Sequence, residues 1–328
     1  MNHNRPIIID ALNCSNWDRE LFEELRAGGV SCMNVTCAVW ETARETLNHL
    51  TQWYHFFREH RDLIMQVQSG SDIEKAHAAG KTGVILGFQN ASPIENDLSL
   101  VELFHRLGVR VIQLTYNNQN HIGSSCYEAH DSGLSRFGRE VVYEMNRLGI
   151  VIDLSHVGER TSLHAIELSS RPVAITHANP YSFHPSKRNK SDQLLKTVAE
   201  HKGMLGCSLY PHFIGGNQTT LDQFCDLIAY AVELMGIDHV GIGSDLVRKQ
   251  TQQYLNWLRM GRWTYSVDYG PGSADQPGWP RWQEWFQSPV DFPHLAEGLR
   301  VKGFSQEEIA KIMGENWLRF FKEGFEPA

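Results

Sequence analysis

The chain has 328 residues, 41% hydrophobic and 21% charged, the proportions of a folded protein with material for a large core rather than of a disordered segment. Its formal net charge of −8, with no block of Lys and Arg, argues against a nucleic-acid partner, which needs a basic stripe to neutralise phosphates. No stretch approaches the roughly 20 apolar residues of a membrane span, and the first apolar run is too short for a signal peptide, so a cytoplasmic protein acting on a small molecule is expected.

In chain order, strand-like apolar runs alternate with amphipathic helical ones. Strands are expected at residues 6–10, 30–40, 82–90, 109–116, 150–155, 172–177, 203–209 and 239–245. Eight strands with helices between them predict a (β/α)8 barrel of the TIM type, with residues 1–328 forming one domain. After the first strand, Ser15 and Asp18 have the spacing of a capping box before WDRELFEELRAGG, a helix that Gly28 and Gly29 can end. Pro172 opens its strand, where its missing N–H costs least. Phe137, Val141, Met145 and Leu148 recur at three- and four-residue spacing, the core-facing stripe of a helix. Beyond residue 245 the alternation stops for about forty residues. Trp257, Trp263, Trp279, Trp282 and Trp285 fall there, in a long insertion suited either to wall a substrate pocket or to bury a subunit contact, and a homodimer is the expected assembly. Helices close the chain behind a capping box at Ser305 and Glu308, with Ile309, Ile312, Met313, Leu318 and Phe321 facing inward. Six cysteines, at positions 14, 32, 37, 126, 207 and 225, contain no C-x-x-C pair. They read as small buried residues, with Cys14 held open for chemistry.

Three of the strands end in residues able to do chemistry: His156, His177 and Asp245. In such a barrel the carboxyl ends of the strands converge on one mouth, so the three point to one site. Neutral imidazole is the commonest metal ligand. A carboxylate closing a buried strand is costly unless it is paired or near a cation, and it suits a general acid or base. Most of the other histidines, His105, His164 and His201 among them, fall in helices or loops and are expected at the surface.

Around these residues a family resemblance is legible. The strings GVILGFQNASPIENDLSLVELFHRLGVRVIQLTYN, GLSRFGREVVYEMNRLGIVIDLSHVGERT, PVAITHANP, HPSKRNKSDQLL, GIGSD and MGENWLRF resemble the renal or membrane dipeptidase family, peptidase family M19, one of the metal-dependent amidohydrolase-type barrels. The likeness runs over nearly the whole chain. It implies a barrel whose active members hold two zinc ions and hydrolyse a dipeptide amide. It also implies that His156 and His177 are metal ligands, that Asp245 handles the proton of the attacking water, and that Arg188 binds the substrate carboxylate.

The departures fall at the chemistry. Where the family has D-G-H-N-D, this chain has Asp10, Ala11, Leu12, Asn13 and Cys14, so the ligands of the first ion are missing. Gln89 stands where the bridging glutamate is expected, and Tyr116 replaces the histidine of the L-T-H-N string but can still donate a hydrogen bond. A neutral amide is a poor zinc ligand beside a carboxylate. The expectation is therefore zinc or another divalent metal, one ion at most, on His156 and His177 with Gln89, Cys14, Asp245 or water completing the set, or no metal at all. Three activities follow: a hydrolase of a small amide or dipeptide bearing a free carboxylate; a metal-independent enzyme acting on a small amine-derived, carboxylated metabolite; or a catalytically silent homologue.

Overall fold

The computed structural model describes residues 5–262 and 278–326. Its strands are β1 (Ile8–Asn13), β2 (Val30–Ala38), β3 (Ile64–Gln66), β4 (Thr82–Phe88), β5 (Val109–Gln113), β6 (Val151–Asp153), β7 (Ala174–Ala178), β8 (Met204–Cys207) and β9 (Val240–Ile242). They pair in parallel in the order β1-β2-β4-β5-β6-β7-β8-β9, while β3 pairs with β4 outside that path. The eight expected barrel strands are all present, and β3 is an addition. Three residues are too few to show an alternating pattern, so nothing in the sequence marked it.

The ring closes between the first and last strands. Asp245 N donates to Leu12 O at 3.0 Å, and Cys14 N to Leu246 O at 2.9 Å. Asp10 is the clasp beneath them: its carboxylate accepts from Ser244 N at 2.7 Å and Ser244 Oγ at 2.6 Å. Burial raises the Asp10 carboxyl to about 6 against these hydrogen bonds, so the clasp is bought with desolvation.

The amino end of the barrel is plugged. Ile9, Cys32, Ile85, Val111, Val151 and Met204 point inward and pack with Trp317, Phe320 and Phe321 of the closing helix Asn316–Gly324. Trp317 also donates from Nε1 to Ile242 O at 3.1 Å, satisfying its polar atom inside this core. With that end filled, the carboxyl ends of the strands are the open side.

Local signals in the sequence read correctly at most helix ends. Helix Arg136–Leu148 is capped by Ser135, ends at Gly149 with φ of 75°, and buries Val141, Met145 and Leu148. The Ser305 and Glu308 box is formed. One cap differs: Asp18 is the N-cap of helix Arg19–Ala27, accepting from Leu21 N at 3.0 Å. Ser15 instead donates to Asn13 Oδ1 at 2.7 Å, because it lies in the turn that leaves β1, before the helix begins. All six cysteines are free, and Cys126 is the one not fully buried.

The described part of the Trp-rich segment lies over the open mouth. Helix Gln252–Met260 is tied to the barrel by Trp40 Nε1 donating to Leu258 O at 3.3 Å. Trp279 Nε1 reaches Thr251 O at 3.0 Å, and Trp282 and Trp285 pack on the main core. Trp263 lies outside the described residues. Among the described residues no helix is long and apolar enough to cross a membrane.

Candidate active site at the carboxyl ends of the strands

The two histidines expected to share a site do so. His156 follows β6, His177 lies in β7, and their Nε2 atoms are 3.1 Å apart. Burial first, and the charge of Arg188 second, push both imidazoles well below the usual histidine range, so both rings are neutral. Two neutral rings at this distance need one Nε2–H between them. Thr176 Oγ1 spends its proton on Asp153 Oδ2 at 2.7 Å, so it accepts from His177 Nδ1 at 2.8 Å. His177 Nε2 is then the acceptor and His156 Nε2–H the donor. His156 Nδ1 meets the side-chain amide of Asn117 at 2.7 Å, and that amide must present its N–H, the orientation related by a half-turn. A directed chain results, from Asn117 through His156, His177 and Thr176 to Asp153.

Tyr116 stacks on His156 with ring centroids 4.1 Å apart and meets Trp40 edge-on at 5.3 Å. Its phenol is raised well above the ordinary tyrosine range by burial, with Cys14 and Asp245 adding to it, so it stays a donor. Arg188 is fully buried: it donates from Nη2 to His177 O at 2.7 Å and from Nη1 to Ser155 O. Its guanidinium carbon sits 4.9 Å from the Phe213 ring centroid, and its Nε finds no acceptor among the described residues.

Asp245 leaves β9 with φ of 56°, a left-handed conformation unfavourable for a residue with a Cβ, and Asn117 shares it with φ of 53°. Burial raises the Asp245 carboxyl to about 7; Arg188 opposes the shift, and Asp10 and Asp153 add to it. No hydrogen bond to its carboxylate is made by the described residues. Asp245, Tyr116, His156 and Arg188 line one cavity together with Cys14 and Gln89. The site thus gathers every residue expected in it except His177, which stands behind His156.

The donor set decides what this mouth can hold. Leu12 has no ligand atom. Burial and the nearby Asp245 push the Cys14 thiol up to about 12, and its Sγ faces Tyr254 Oη at 3.7 Å. Gln89 donates from Nε2 to Thr36 Oγ1 at 2.8 Å. Among the described residues no three His, Cys, Asp or Glu side chains converge on a point that suits a metal ion, whereas catalytic zinc takes three protein ligands. The two-ion centre of the family does not fit these residues, and the histidines satisfy each other.

The relay partners Asn117, Thr176 and Asp153 escaped the sequence reading, as did Arg259, a second arginine on the cavity wall. Asn117 and Thr176 each adjoin a residue that was singled out, which was the available signal.

A closed parallel barrel with titratable side chains gathered at the carboxyl ends of its strands defines the class, a TIM-type (β/α)8 barrel. The family model for membrane dipeptidases, peptidase family M19, matches residues 11–254, and the chain belongs to that family. It is 30% identical over 287 residues to dipeptidase aclJ of Aspergillus oryzae and 26% identical over 284 residues to dipeptidase tcpJ of Claviceps purpurea, covering 85% of this chain in each case. The chain spans 61% and 60% of the length of these two relatives. Among solved structures, an amidohydrolase from Pseudomonas aeruginosa superposes with a TM-score of 0.92 at 38% identity, covering 98% of this chain and 97% of that one. A metallopeptidase from Rhodobacter sphaeroides, liganded with a phosphinate mimic of the dipeptide L-Ala-D-Ala, shares the fold, with a TM-score of 0.80 at 19% identity covering 98% of this chain and all of that one.

Proposed function

We propose that this cavity hydrolyses a small amide or dipeptide carrying a free carboxylate, with Asp245 as the group that takes the proton of the attacking water. The observation that carries the reading is Asp245 itself: a buried carboxylate, raised to about 7, in one cavity with an imidazole relay and an arginine. A base poised near neutral pH is what proton abstraction from water requires. In the step, a water oxygen bonds to the amide carbon as its proton passes to Asp245. Tyr116 donates to the oxygen that becomes negative, the C–N bond breaks, and the proton moves from Asp245 to the departing amine. Membership of a dipeptidase family and the names of the relatives support the substrate class.

A single divalent ion, if bound, would take its nitrogen donors from His156 and His177 and would supply a water of lowered pKa. The high pKa of the Cys14 thiol and the neutral amide of Gln89, where the family has carboxylates, leave an ion a poor ligand set, which favours the metal-independent form of the reaction.

The test is hydrolysis of a panel of dipeptides and N-acyl amino acids by purified protein, with and without a chelator. Turnover that survives chelation and disappears in Asp245→Asn is the expected result. Turnover abolished by chelation and restored by zinc would return the site to metal chemistry. No turnover of any amide would leave the silent homologue.

A further inference from the structure

The cavity has two chemically different ends. At one, Arg188 lines the wall with its guanidinium carbon 4.9 Å from the Phe213 ring centroid, an end suited to an anion. At the other stands the insertion. Leu255 and Leu258, one turn apart on the helix Gln252–Met260, are 3% and 7% exposed and line the cavity. Trp279 lines it too, and its Nε1–H is spent on Thr251 O at 3.0 Å, so the ring offers the cavity carbon alone. Leu258 belongs to a small apolar cluster with Val39, Trp40 and Tyr116, and Trp279 packs on that cluster. The apolar end is therefore beside Tyr116, the donor to the amide oxygen in the proposed reaction. All three residues lie beyond residue 254, where the family match stops.

The charges on the wall bear on what this end accepts. A free dipeptide carries an α-ammonium next to the amide that is cut, and a buried ammonium needs an opposite charge or several acceptors. Among the described residues on the cavity wall Asp245 is the one carboxylate, and the proposed reaction needs it for the attacking water. Asp10 accepts from Ser244, and Asp153 from Ser155 and Thr176; neither is on the wall. Glu41 lines a neighbouring cavity with Trp17 and Trp53, and Tyr254 stands between the two: it lines that cavity and meets Cys14 of this one at 3.7 Å. An ammonium beyond Tyr116 would meet leucine, indole and a thiol.

We propose that the substrate is an N-acyl amino acid with an apolar acyl chain rather than a free dipeptide, and that Leu255, Leu258 and Trp279 are the specificity-determining residues that receive the acyl chain. The inference rests on the hydrolase reading for the bond that is cut. Substrate choice then belongs to the insertion, and the chemistry to the barrel.

The test is calorimetric binding of matched ligands to the full chain at pH 7. N-propionylalanine is alanylalanine without its α-ammonium, and N-hexanoylalanine lengthens the acyl chain. The wild type should bind N-propionylalanine about ten-fold or more tighter than alanylalanine. Affinity should rise from propionyl to hexanoyl by about two- to four-fold per added methylene. Leu258→Asp places a carboxylate at the acyl end and should reverse the first preference, while the milder Leu255→Ala should flatten the dependence on chain length. Circular dichroism verifies that each variant is folded at the assay temperature, and release of alanine from the three ligands is followed in parallel. A wild type that binds alanylalanine as well as N-propionylalanine, an affinity that does not grow with the chain, or no binding of any of the three overturns the proposal. So does a folded Leu258→Asp variant with the wild-type preference. Cleavage of alanylalanine ahead of the acyl ligands would overturn it and keep the hydrolase reading. Tight binding of the acyl ligands without cleavage would sink the hydrolase reading and keep this ligand class.

Discussion

The residue on which the chemistry turns is Asp245, and its burial has two consequences of opposite sign. As a base it must be ionised, so kcat/KM should rise with pH through about 7, and Asp245→Asn should lower it by about 10²–10⁴ with that limb of the profile gone. For stability, the folded-state carboxyl at about 7 lies above the ordinary aspartate value of 3.8. Between these values the folded protein keeps a proton that the unfolded chain releases, so this residue makes the fold less stable as pH rises through the window, with the full penalty present above it. Asp245→Asn should therefore melt higher than the wild type at pH above 7, by a free energy on the order of a few kcal/mol, with the gap closing toward pH 4. Thermal melts of both proteins across that range decide it; a variant less stable at alkaline pH would contradict the assignment of burial as the dominant cause. Tyr116 makes a narrower prediction. Tyr116→Phe keeps the ring stacked on His156 and removes one donor, so kcat should drop by about 10² with little change in the melt.

At the scale of the element, the strand ends carry the difference from the metal-binding relatives. The first strand brings Leu12 and Cys14 to the mouth region, and the loop after β4 brings Gln89. A Leu12→His, Cys14→Asp, Gln89→Glu triple variant should take up more zinc per chain than the wild type, measured by elemental analysis after dialysis against the ion; equal uptake would mean that the mouth has been reshaped around its new residues. The sequence made these elements legible because barrel strands are buried on both faces and read as continuous apolar runs. It made His156, His177 and Asp245 legible because each interrupts or ends such a run. Asn117 and Thr176 stayed hidden, since a single polar residue beside a strand end looks the same whether it orients an imidazole or merely satisfies the backbone. Arg259 stayed hidden because the pattern of a short helix does not say which of its faces meets a cavity.

For the whole molecule, the barrel is held at two places far apart in the chain: the clasp of Asp10 with Ser244, and the aromatic plug around Trp317. Trp317→Ala should cost about 3–5 kcal/mol in urea unfolding, because it opens a cavity at the amino end and strands the carbonyl of Ile242. Turnover of an amide at the other end should be unchanged in the variant that remains folded, separating stability from the site. The sequence by itself determined the alternation of strand and helix, the eight-strand ring, the family and three of the side chains at its mouth, because burial and periodicity are written residue by residue. Only the tertiary structure decided which polar groups spend their hydrogen bonds on one another. The two histidines satisfying each other, Arg188 braced on two carbonyls and Arg259 turned inward depend on distances between segments that sequence separation does not encode, and those distances decide the chemistry available to the site.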